Sequence, residues 1–171
     1  MSVSWDKVVA VVLGGSNTDL IATGAARPAA PGEMLGASRF AIGPGGKSRN
    51  VAQMMGTYLG PGRVSFVGRT LAPHTDFASL DAVLADPRAT ADLLPHLYSL
   101  LAQVPLMALR RAGVLTDLMR QVPYAGTAAG VAEIVVLAGG ENMIYSIAGV
   151  NAGFSPEDVA TAAPLMAAGG R

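Results

Sequence analysis

The chain has 171 residues, enough for one domain of ordinary size, and its 12 basic side chains are matched by 12 acidic ones, so no electrostatic excess draws it to a phosphate backbone. It has no cysteine, which excludes disulfide scaffolds, thiolate metal sites and cysteine nucleophiles; its two histidines, His74 and His96, lie too far apart in sequence to suggest a metal cluster. Apolar residues make up 51% and charged residues 14%, with only 5% aromatic, so a core is expected in which small side chains pack closely.

Lys7 to Leu13 (KVVAVVL) is a continuous β-branched run, the pattern of a strand buried on both faces in a parallel sheet. It ends at Gly14-Gly15, and Ser16, Asn17, Thr18 and Asp19 follow. Polar residues past the carboxyl end of such a strand suit a ligand site, and suit a plain turn equally well. Ile21 to Ile42, punctuated by Pro28, Pro31, Gly32 and Gly36, predicts extended segments outside the main sheet. Gly43 to Lys47 (GPGGK) reads as a glycine-rich loop. Val51, Met54, Met55, Tyr58 and Leu59 then fall at helical spacing and predict a helix stopped by Gly60-Pro61-Gly62. Arg63 to Gly68 predicts a short strand.

Thr70 to Pro105 is the least legible passage; Asp81 to Leu101 suggests one or two helices broken at Pro87 and Pro95, and Leu106 to Ala112 completes a helix ending at Gly113. The uncharged stretch from Leu93 to Leu109 is slightly short for a membrane span and holds Pro95, His96, Gln103 and Pro105, so it reads as a buried helical region. With no export signal at the start, the protein is expected in the cytoplasm, away from membranes. Val131 to Leu137 and Met143 to Ile147 flank Gly139-Gly140-Glu141-Asn142, a hairpin signal. Ser155-Pro156-Glu157-Asp158 is a helix start, and Pro164 is expected to interrupt that helix. His74 and His96 read as surface or capping groups. Met54, Met55, Met107, Met119 and Met166 read as core filler. The order of elements gives an α/β protein with some antiparallel strands set apart.

Two chemistries compete for the glycine-rich segment. Ala41-Ile-Gly-Pro-Gly-Gly-Lys-Ser48 loosely fits a P-loop, in which Lys47 reaches phosphates and Ser48 ligates magnesium. Against this, Ser38 to Ile42 does not read as the buried strand that should feed such a loop, and no later strand ends in the acid that completes a magnesium site. Alternatively Asn17 and Asp19, with Gly45, Gly46, Lys47 and Asn50, form two walls of a site for a polyhydroxylated ligand. A carboxylate accepts paired hydroxyl hydrogen bonds, amides donate and accept, and glycine allows close approach.

The pieces VVLGGSNTD, PGE at 31–33, GPGGKSRNVAQ at 43–53, FVGR at 66–69, RRAGVLTD at 110–117, and GEN at 140–142 followed by GVNAGFSPEDV at 149–159 resemble, in order, the N-terminal part of the ribokinase-like (PfkB) carbohydrate and nucleoside kinases. The resemblance implies a mostly parallel central sheet flanked by helices, with a small β-sheet lid formed by residues near 20–42 and 127–148. Residues 70–105 have no counterpart and read as an insertion or as sequence altered by a frameshift. It also implies that Asn17 and Asp19 bind sugar hydroxyls, opposite Gly45, Gly46, Lys47 and Asn50. The ligand would be a sugar or nucleoside, and the lid or a second chain would supply a protein partner. ATP and Mg2+ are implied for a complete enzyme. The family's anion hole and catalytic base are not matched: no Gly-Ala-Gly-Asp sequence occurs here. Three readings stand: the sugar-binding part of a kinase, inactive alone; a P-loop nucleotide binder; and a non-catalytic dimerising module.

Overall fold

A computed structural model describes residues 5–74, 81, 84–86 and 93–168. A 3-10 turn at Trp5–Lys7 precedes β1 (Ala10–Leu13), so the first strand starts three residues later than the β-branched run. Strand β1 lies parallel to β4 (Val64–Val67), with Ala10 opposite Val64 and Leu13 opposite Val67. Leu115 extends this parallel arrangement through a bridge to Ser65. A second parallel pair joins β5 (Arg69–Leu71) to β6 (Arg120–Val122).

A separate four-stranded sheet is mixed, its central pair parallel and its two outer pairs antiparallel. It contains β2 (Asn17–Ala25), β3 (Arg39–Gly45), β7 (Val131–Leu137) and β8 (Asn142–Ile147), in the order β3-β2-β7-β8. The β7–β8 hairpin turns at Ala138 to Glu141, where glycines allow the tight reversal read from the sequence. Pro44 and the glycines around it belong to β3, so the expected GPGGK loop is corrected. Only Gly46 separates β3 from the first helix, α1 (Lys47–Leu59).

Helix α1 packs on the β1–β4 pair and against α2 (Leu94–Arg111), which also lies on β2, β3 and β5. Their core joins Ala52, Val64, Phe66, Leu106, Leu109, Val114 and Met119. The face of α1 differs from the expected one. Its buried residues are Arg49, Ala52 and Gly56, whereas Val51, Met54, Tyr58 and Leu59 are exposed, Tyr58 by 83%. Close approach is the cause. A Cβ at Gly56 would stand 2.6 Å from Val114 Cγ2 and 2.7 Å from the Ala112 carbonyl oxygen, so small residues mark the contact. Met54, Met107 and Met166 are likewise exposed, and only Met119 and Met55 serve the core.

Helix α2 also departs from the expected breaks. Pro95 opens it, where a missing N–H costs nothing, and Pro105 lies inside it. Pro105 leaves the Leu101 carbonyl without its helical donor. The fully buried Thr18 hydroxyl donates to that carbonyl instead at 2.5 Å, tying the start of β2 to α2. Most of α2, with the end of β5, comes from the passage 70–105; Pro87 lies outside the described residues. His96 is buried on α2, its ring edge-on to exposed His74 at 4.2 Å, which corrects its reading as a surface group. Beyond a 3-10 turn at Gly149–Gly153, α3 (Pro156–Ala160) begins at Ser155 and ends well before Pro164, which lies in the separate α4 (Ala163–Ala168). Buried Asp158 accepts from the Ser155 N–H at 2.9 Å and from Arg69 Nε at 2.7 Å, joining α3 to β5.

Candidate functional site

The strand β2 carries Asn17 and Asp19 on one face, because residues two apart on a strand point the same way. Pairing with β3 sets Asn17 opposite Gly45 and Asp19 opposite Gly43. The Asp19 carboxylate folds over Gly45, where any Cβ would collide with it. Gly46 then turns the chain into α1. Its φ of 95° favours glycine, and a Cβ there would press on the Gly15 carbonyl oxygen at 2.8 Å. These two glycines bring the first turn of α1 against the start of β2.

Between them opens a cavity of about 690 Å3. Asn17 and Asp19 line one side, Gly46, Lys47 and Asn50 another, and Ala132, Ile134, Ile144 and Ser146 of the four-stranded sheet form a third. Thus five of the six residues read from the sequence reach one cavity, and the sixth, Gly45, lies buried beneath Asp19. Volume and lining fit a small polar molecule with an apolar flank.

Two residues with no role in the sequence reading organise these groups. Arg49, only 4% exposed, donates from Nε to the Gly45 carbonyl at 3.1 Å and from Nη2 to the Pro44 carbonyl at 2.7 Å; its guanidinium also bonds the Gln53 and Asn50 side-chain oxygens. The sequence signal was a cation in the first turn of a helix, where the dipole disfavours one. Asn151 donates from Nδ2 to the Ser16 carbonyl and to Asn17 Oδ1, both at 3.0 Å, and its Oδ1 accepts from the Ser16 N–H at 3.3 Å. Its signal was its place in the GVNAG segment. Partial burial pushes the Asp19 carboxyl above its ordinary range, and Arg49 pulls it partly back. Burial lowers Arg49, and Asp19 opposes this.

The P-loop geometry is not present. One residue between β3 and α1 leaves no loop to wrap phosphates, and β3 is an exposed edge strand. Among the described residues, no three acids or histidines gather where they could hold a metal. Among the same residues, no helix is long and apolar enough to cross a membrane.

The fold is that of the ribokinase-like α/β kinases. The protein Sa239 superposes with a TM-score of 0.64 at 25% identity, over 93% of this chain and 43% of that one. Ribokinase from Giardia lamblia gives 0.60 at 26%, over 95% and 38%. Arabidopsis thaliana ribokinase, solved with ribose and ATP, gives 0.54 at 22%, over 89% and 41%, and so speaks for the fold alone. The chain spans less than half the length of these proteins. No family model matches it, and no curated protein matches it in sequence.

Proposed function

We propose that this chain is the sugar-binding part, with its lid, of a ribokinase-like kinase of the cytoplasm. The complete enzyme would transfer the ATP γ-phosphate to a hydroxyl of a sugar or nucleoside. The observation that carries the reading is the meeting of Asn17, Asp19, Gly46, Lys47 and Asn50 around one cavity, with Gly45 shaped to seat the carboxylate. Asp19 accepts hydrogen bonds from neighbouring hydroxyls, the carboxamides and Lys47 donate to sugar oxygens, and the sheet of β2, β3, β7 and β8 acts as the lid. Phosphoryl transfer also needs a base, magnesium and an anion hole; the family's Gly-Ala-Gly-Asp sequence does not occur here and, among the described residues, no three acids or histidines gather for a metal, so the chain alone is expected to bind without turnover. Isothermal titration of the chain with a pentose, a hexose, an inositol and a nucleoside tests the reading. Binding of at least one, lost in Asp19→Ala, supports it; heat from none contradicts it.

A second copy is the partner this reading favours. The face of the lid opposite Asp19 exposes Phe40, Ile42, Tyr145 and Ile147, and strands β3 and β8 are open edges.

A further inference from the structure

Asn17 and Asn50 differ in fold position, one on a strand and one on a helix, yet their carboxamides share one state. The Asn17 Oδ1 accepts from Asn151 Nδ2 at 3.0 Å, and the Asn50 Oδ1 accepts from the Arg49 guanidinium. Among the described residues, no protein acceptor meets either Nδ2. A carboxamide is planar, so fixing its oxygen against the protein turns its NH2 the other way, and both residues border the cavity. Arg49 cannot reverse the arrangement, because a guanidinium has donors only and its other bonds hold it to β3 and α1. Asn151 is held likewise by both bonds to the Ser16 backbone.

We propose that Arg49 and Asn151 are positioning residues that make Asn17 and Asn50 donor-only toward the ligand, so that Asp19 alone supplies a charged acceptor. This deepens the sugar-site reading and rests on it. The ligand must then present lone pairs, from hydroxyl, ring or carbonyl oxygens, to the two carboxamides, and hydroxyl hydrogens to Asp19. A ligand that offers only N–H or ammonium donors on the carboxamide side finds no acceptor there.

The decisive variant is Asn50→Asp. It retains an oxygen for Arg49 and replaces the NH2 with a second carboxylate oxygen, which accepts where the amide donated. The test uses the full chain with D-ribose, D-fructose, myo-inositol and adenosine, followed by calorimetry and by the side-chain amide signals of 15N-asparagine-labelled protein. In the wild type, the Asn17 and Asn50 NH2 signals are expected to move as the tightest of the four is added. Asn50→Asp should melt no lower than the wild type, yet bind at least about tenfold more weakly, the effect of losing one donor to a polar ligand. Arg49→Met should weaken binding too, with Asn50 NH2 signals that no longer follow the ligand. Unchanged affinity in Asn50→Asp overturns the inference and leaves the sugar site standing. Should that variant fail to fold, wild-type NH2 signals that stay still at saturation overturn it equally. A wild type that binds none of the four removes the sugar-site reading and this inference with it.

Discussion

At the residue scale, Asp19 sets function against stability. A carboxyl whose pKa is raised by folding favours the folded state when protonated. That contribution is fully present below the ordinary carboxyl value and is lost as pH rises through the folded-state value. Asp19→Asn should therefore melt higher than the wild type at neutral pH, with the difference closing in acid; thermal denaturation across pH checks this. On the proposed sugar-site reading, ligand binding runs the other way, because the ionised carboxylate would accept the hydroxyl hydrogen bonds. Affinity should fall with pH, and the fall should begin above the usual carboxylate range because burial holds the pKa up. Gly45→Ala places a methyl against that carboxylate and should remove binding as thoroughly as Asp19→Ala. An alanine variant that titrates with wild-type affinity would show that Asp19 does not need the space.

At the scale of the element, the two helices teach where sequence patterns mislead. The periodicity of Val51, Met54, Met55, Tyr58 and Leu59 marks a helix, but the buried face is Arg49, Ala52 and Gly56. Hydrophobic spacing weighs large side chains and overlooks small ones that let a helix approach its neighbours. Gly56→Ala tests this. Helix propensity alone predicts a gain of up to about 1 kcal/mol, whereas the clash with Val114 and Ala112 predicts a net loss of about 1–3 kcal/mol by chemical denaturation. Pro105 was illegible for a related reason: the donor that satisfies Leu101 comes from Thr18, far away in sequence. Thr18→Val should cost about 1–3 kcal/mol by leaving that carbonyl unpaired. Local signals fared better. The Gly139-Gly140 hairpin and the Ser155 helix start depend on neighbours within a few residues, and both stand where they were read. The sequence reading of Asp158 stopped at the helix start, yet it is 2% exposed and held below its ordinary value. Burial opposes this, but Arg69 and the Ser155 N–H prevail. Arg69→Met removes the nearest cation but leaves Arg120 Nη1 at 3.6 Å and the Ser155 N–H, so it should cost less than the about 3–5 kcal/mol of a wholly unpaired buried charge.

At the scale of the whole molecule, the site arises where two sheets meet. Asn17 and Asp19 belong to the mixed four-stranded sheet, Lys47 and Asn50 to the helix that packs on the β1–β4 pair, and Gly46 joins β3 to that helix. Their grouping was readable because the segments are short in sequence and resemble one family. The roles of Arg49 and Asn151 were not, since each depends on contacts that only the folded chain makes. The exposed apolar residues of the four-stranded sheet, with Val51, Met54 and Tyr58 on α1, leave much hydrophobic surface uncovered. Sedimentation equilibrium should find species heavier than 17.3 kDa, and Phe40→Ser with Tyr145→Ser should reduce them; a compact monomer of the unmodified chain would contradict self-association.

The most direct test of the central claim is calorimetric titration of the wild type and Asp19→Ala side by side with D-ribose, D-fructose, myo-inositol and adenosine. The account predicts saturable binding of at least one by the wild type and none of that binding in the variant. No binding by the wild type, or equal binding by both, would contradict it.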